Sequence, residues 1–114
     1  MRPQPAARME KHRDELFGVK VRDVSYMDRV VRRWPEKQRG VLVVEVPAGG
    51  WTALAGLAGG DLILRLNRAA VGSVVDFRKV MKRISAERPK HVVLYIKRGI
   101  YTRFIEIEPA WPDA

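Results

Sequence analysis

Gly49-Gly50-Trp51-Thr52-Ala53-Leu54-Ala55-Gly56-Leu57-Ala58-Gly59-Gly60-Asp61-Leu62-Ile63-Leu64-Arg65-Leu66-Asn67 is the stretch that decides how this chain folds. Up to Gly60 it is made almost entirely of small residues, the composition of a tight connection. Gly56 and Gly60 allow the positive φ or close backbone approach that a turn into a buried strand requires. Asp61 follows with a side chain short enough to bond local backbone amides. Asp61–Asn67 then reads as a strand, with Leu62, Leu64 and Leu66 on one face and Ile63 on the other.

Working outward, Gly40 releases the chain into Val41–Val46, a nearly unbroken apolar run typical of a buried strand. Further upstream, Leu16 to Val24 carries the first strand signal, with Val19 and Val21 alternating against Lys20 and Arg22. Ser25 stands three residues before Asp28, a capping-box spacing that opens a short helix through Tyr26, Val30 and Val31, stopped before Pro35. Downstream, Ser73 and Asp76 repeat that spacing and start the main helix, about 74–86. Strands near 92–97 and 101–107 flank Arg98-Gly99-Ile100 as a hairpin. Residues 1–13, with Pro3, Pro5, Ala6 and Ala7 and no apolar periodicity, read as a flexible tail or linker. The expected domain is 14–109, and 110–114 form a C-terminal tail. The fold class is α+β: a small, mostly antiparallel β-barrel or sandwich of five to six strands capped by two helices.

On the main helix, Val74, Phe77, Val80, Met81 and Ile84 share one arc of about 120° at 3.6 residues per turn. Arg78, Lys79, Lys82 and Arg83 take the other side. Arg78 borders the Val74/Met81 edge of the stripe and Arg83 the Val80 edge, so a basic rim flanks each side of an apolar face.

The chain has 114 residues, room for one domain, and 46% hydrophobic with 31% charged residues is ordinary globular composition. There is no Cys, which excludes a disulfide scaffold, a thiolate zinc site and a cysteine nucleophile. No apolar run approaches membrane-spanning length, and the N-terminus has basic residues without the apolar core of a signal peptide. Lys and Arg outnumber Asp and Glu 22 to 13, a net charge of +9 that favours acidic partners. His12 and His91 lie in different kinds of segment, and no loop concentrates carboxylates, so neither a metal nor another cofactor is expected. Ser25 and Ser73 are better used as helix caps, and Ser85 sits beside Lys82 near a helix end; no catalytic residue is assigned. The Gly-rich stretch lacks the Gly-Lys-Ser/Thr ending of a phosphate loop.

Gly49, Ala53, Ala55, Gly56, Leu57, Gly60, Asp61, Ile63, Leu64, Leu66 and Asn67 fall in register, without a gap, on a family signature. In this stretch the chain resembles bacterial PDZ domains of the HtrA (Deg-type) serine protease family. Val71, Ser73, Asp76, Phe77 and the final pair of strands fit the same pattern, so the resemblance covers about 15–108. Trp51 stands where the family favours Pro, and Arg68 where Asn-Gly is usual.

The resemblance implies a peptide-binding module: a non-catalytic domain of a larger serine endopeptidase, with its protease domain upstream. In such domains a short x-hydrophobic-Gly-hydrophobic loop holds a peptide carboxylate, and Leu16-Phe17-Gly18-Val19 matches it. A carboxylate needs several convergent N–H donors, which Gly18 lets the backbone provide. The implied site comprises Leu16, Phe17 and Gly18 for the carboxylate and Val19, Lys20 and Val21 as the strand whose open edge accepts the peptide. Val74, Phe77, Arg78 and Met81 form the hydrophobic pocket and groove rim. Partners are then peptide or protein C-termini and exposed hydrophobic segments, in bacterial protein quality control, and the implied location is the periplasm or cell envelope. Two other readings stay open: a non-proteolytic scaffold domain whose groove is shut by its own tail, and a basic nucleic-acid-binding module. Only Tyr95, Tyr101 and Phe104 could serve the latter as stacking residues.

Overall fold

The apolar runs and caps become elements in a computed structural model that describes residues 10–14, 16–109 and 111. In chain order these are β1 (Lys11–Arg13), β2 (Lys20–Asp23), α1 (Tyr26–Val31), β3 (Val41–Glu45), α2 (Trp51–Leu54), β4 (Leu62–Leu66), β5 (Ala69–Ala70), α3 (Val74–Glu87), β6 (Val92–Arg98) and β7 (Tyr101–Ile107). All strands join one antiparallel sheet in the order β1-β2-β3-β4-β6-β7, with β5 paired to β4. The sheet does not close into a barrel: β1 and β7 are its two ends.

This corrects the expected count of five to six strands and two helices. β1 forms inside the stretch read as a tail, because the outer edge of β2 offers unpaired backbone groups that three residues satisfy. β5 is only two residues long, and α2 is a single turn within the small-residue stretch, too short for any periodicity to show. Trp51 opens α2, and its ring meets Phe17 and Trp111 edge to face at 6.0 and 6.4 Å. Trp111 lies in the stretch read as a C-terminal tail, and its indole N–H donates to the Pro89 carbonyl at 2.7 Å.

Both helix caps form. The Ser25 hydroxyl accepts from the Asp28 N–H while the Asp28 carboxylate accepts from the Ser25 N–H, a complete capping box for α1. Ser73 caps α3 through the Asp76 N–H, but the Asp76 carboxylate turns to the Gly72 N–H instead. At Asp61 the expected local bond is present, from the Ala58 N–H at 2.9 Å. Arg98 adds a bidentate pair to the same carboxylate, with both N···O distances 2.7 Å, so β6 clamps the Gly56–Gly60 turn.

The main core gathers Val19, Val21, Val41, Val43, Ile63 and Leu66 from the sheet with Phe77, Val80, Met81 and Ile84 from α3. A smaller cluster of Val24, Trp34, Leu42 and Leu62, with Leu64 against it, fills the other face. Leu66 therefore joins Ile63 and not Leu62 and Leu64. The β4–β6 register shifts between Ile63 and Arg65, and that bulge moves Leu66 to the opposite face from simple alternation.

Candidate functional site

The loop before β2 turns on Gly18, which holds φ at +72°, a region open to glycine and strained for other residues; a Cβ there would also meet Pro47 Cγ at 3.0 Å. Phe17 anchors the loop by burying its ring in the main core against Trp51, while Leu16 stays half-buried at the surface. Arg13 braces the same loop, its guanidinium donating to the Gly18 carbonyl at 2.8 Å.

β2 and α3 stand side by side along the open flank of the sheet. At the far end, the Val74 N–H donates to Asp23 Oδ1 at 2.7 Å, tying the first turn of α3 to the end of β2. At the loop end, Leu16, Met81, Arg78, Lys79, Lys82 and Ser85, together with His12, Arg13 and Asp14, line a cavity of about 470 Å³. Its floor is apolar and its helix rim basic. A second cavity of about 670 Å³ opens on the other flank of α3, lined by Val80, Arg83, Ile84, Leu66 and Val93 among others, so both basic rims of the helix border a depression.

Of the site residues named from sequence, Leu16, Arg78 and Met81 meet around the first cavity. Phe17, Val19, Val21 and Phe77 belong to the main core, each under 9% exposed, and do not line this cavity. Val74 lies half-buried at the Asp23 end, and Lys20 reaches toward Glu45 at 3.7 Å. Met81 is only 4% exposed, so it is core and cavity wall at once.

The edge of β2 expected to be open is taken. β1 pairs with it, Lys11 opposite Arg22, His12 opposite Val21 and Arg13 opposite Lys20. The His12 ring meets Phe77 of α3 edge to face at 6.4 Å, which puts β1 over the groove. Sequence reasoning missed His12, Arg13 and Asp14 as site residues. The only available signal was Asp14 three residues before Phe17, a spacing at which an Asp side chain bonds a following amide.

A buried ion pair fixes β2 on its other side. Arg22 donates to Asp28 at 2.6 and 2.9 Å in a bidentate fork. Burial by itself pushes the Asp28 carboxyl up, but the bonds from Arg22 and from the Ser25 amide and hydroxyl outweigh it and hold the pKa at about 2.

Ser25 and Ser73 are both engaged as caps, and Ser85 lies on the rim of the first cavity. At one end of β6 and β7, His91 Nδ1 lies 2.6 Å from Glu106 and 3.6 Å from Glu108. All three side chains are exposed, and their ligating atoms lie within 4.8 Å of one another, close enough to approach a cation together. Tyr95 and Phe104 pack on each other across β6 and β7 at 4.7 Å. Among the described residues, no helix is long and apolar enough to cross a membrane.

An antiparallel sheet with a glycine-turned loop leading into a strand beside a long helix is the PDZ arrangement, and the solved structures agree. The HtrA3 PDZ domain bound to a phage-derived ligand, FGRWV, superposes with a TM-score of 0.61 at 19% identity, covering 89% of this chain and 86% of that one. The HtrA-type protease AlgW with a decapeptide gives 0.66 at 19% identity, over 92% of this chain and 31% of that one.

In sequence the chain is similar to DegP-like proteases. It is 43% identical over 70 residues to a probable periplasmic serine endoprotease, DegP-like, of Chlamydia trachomatis serovar D, and 34% identical over 71 residues to that of Chlamydia pneumoniae. These alignments cover 61% and 62% of this chain but only 14% of each relative's length. The chain thus has the PDZ fold, and over some 70 residues it is similar to a small part of DegP-like proteases. No protein-family model matches it.

Proposed function

We propose that this domain binds peptides, and that it serves as the substrate-recognition or regulatory module of an HtrA-like serine endoprotease in the periplasm or cell envelope. A peptide C-terminus or exposed hydrophobic segment would add as a strand along β2. Its carboxylate would take the amides of Leu16–Gly18, and its terminal side chain would enter the cavity between Leu16 and Met81. The observation that carries this reading is the position of that cavity: it opens where the Gly18 turn meets α3, with an apolar floor and Arg78 and Lys82 on its rim.

One apolar side chain buried there contributes about 1.5–3 kcal/mol, and ordering the peptide opposes it. Affinity is therefore modest, on the order of 1–100 μM. The test is an NMR titration of the full chain with FGRWV as free acid and as C-terminal amide. The free acid should shift residues 16–23 and 74–84, and amidation should remove most of the binding. Equal shifts from both forms, or shifts confined elsewhere, rule the carboxylate groove out.

A non-proteolytic scaffold role with a closed groove is the second reading, favoured by one observation: β1 lies on the edge of β2 that a peptide would need.

A further inference from the structure

We propose that Lys11–Asp14 is a tethered ligand, a segment of this chain that holds the groove in place of an incoming peptide, with Asp14 standing where the peptide's terminal residue goes. The inference rests on the peptide-binding reading and adds its regulation.

The hydrogen bonds carry it. The Asp14 N–H donates to the Val19 carbonyl at 2.8 Å, continuing the β1–β2 ladder to the mouth of the loop. There the Phe17 N–H donates to Asp14 Oδ2 at 2.6 Å, and the Gly18 N–H donates to the Asp14 carbonyl oxygen at 2.8 Å. One residue thus presents two oxygens to two successive loop amides, as the two oxygens of a terminal carboxylate do. Asp14 is 6% exposed, so the loop is filled and not merely approached.

The rest of the strand keeps a ligand's register. β1 runs antiparallel to β2, and alternation along a strand puts His12 on the same side as Asp14. That side faces α3, where the His12 ring meets Phe77. The tether is incomplete in one respect that makes it displaceable. Asp14 turns its side chain to the Phe17 amide, and among the described residues the cavity lined by Leu16, Met81 and Lys82 stays open. A peptide with an apolar terminal residue satisfies the loop with its carboxylate and fills that cavity as well. β1 is three residues long, and such short edge strands are readily exchanged.

A groove open for only a fraction of the time binds its ligand more weakly by that fraction. Freeing it should tighten binding. Two variants of the full chain separate the tether from the loop: His12→Pro, which removes an N–H and restricts φ within β1, and Asp14→Ala, which takes the side-chain oxygen away from the Phe17 amide. FGRWV titrated into each should bind about three- to tenfold more tightly than into the native chain. In the native chain, saturating FGRWV should speed amide exchange at residues 11–14 while β6 and α3 stay protected. Binding seen only in the variants supports the tether in its strongest form. Equal affinity in all three proteins, with residues 11–14 still protected at saturation, overturns the tether and leaves peptide recognition standing. Absence of binding in all three overturns peptide recognition and the tether with it.

Discussion

The two ends of the sheet are both antiparallel hairpins, and they are built to different purposes. β6 and β7 pair along seven residues each, from Val92 opposite Ile107 to Arg98 opposite Tyr101. Val92, Leu94 and Ile96 on β6 and Ile105 and Ile107 on β7 are buried, and the Arg98–Asp61 fork locks the turn end to the Gly56–Gly60 connection. β1 and β2 pair along three residues, and of these only Val21 is buried. Lys11 is exposed, and Arg13 spends its charge on Gly18 and a half-exposed Glu45 at 3.4 Å. The first hairpin is held by core burial, the second by a short ladder and local polar bonds. Cooperative stability follows buried apolar area, so β7 should leave only on global unfolding, whereas β1 can leave while the domain stays folded.

Ile96→Ala tests the permanent end and should have the largest effect. Ile96 is fully buried between β4 and β7, and truncating it should cost about 3–4 kcal/mol. Urea unfolding measures this, and a loss under 1 kcal/mol would break the contrast between the ends.

Acid tests what holds β2 when β1 is absent. The Asp28 carboxyl is held at about 2, below its unfolded value of 3.8. A depressed carboxyl stabilises the fold at pH above its unfolded pKa, and that stability fades as pH falls through the folded value. About 2 kcal/mol should therefore be lost between pH ~4.5 and ~2. Asp28→Asn should flatten that part of the pH–stability curve, and an unchanged slope would show that Arg22–Asp28 does not secure β2.

His12→Pro should change global stability by less than about 1 kcal/mol, because β1 contributes no fully buried apolar side chain. Thermal unfolding checks this. A loss matching that of Ile96→Ala would make β1 part of the core and erase the difference between the hairpins.

The smallest effect belongs to the basic rim. Arg78 faces the first cavity from α3 and should favour an acidic residue upstream of a peptide terminus by about 0.5–1 kcal/mol. Titrating peptides with Glu or Gln upstream against Arg78→Ala should remove that preference, and raising salt should shrink it in the native chain. A preference that persists in the variant moves the rim to Lys79 or Lys82.

The local signals were legible because each depends on nearby residues. Ser25 and Asp28 cap α1 through bonds three residues apart, Asp61 bonds Ala58 at the same spacing, and Gly18 needs its positive φ for a turn only a few residues wide. The stripe of Phe77, Val80, Met81 and Ile84 follows from the helical repeat alone. The family signature across Gly49–Asn67 likewise marks the PDZ fold, because its glycines and Asp61 serve one local turn. What only the tertiary structure decided involves partners distant in sequence. Arg98 finds Asp61 and Asp23 finds Val74 across the fold, and the bulge on β4 moves Leu66 to the main core. Above all, Lys11–Arg13 has no apolar pattern of its own: it becomes a strand because folding leaves the edge of β2 unpaired beside α3, and backbone hydrogen bonding takes no notice of side-chain sequence.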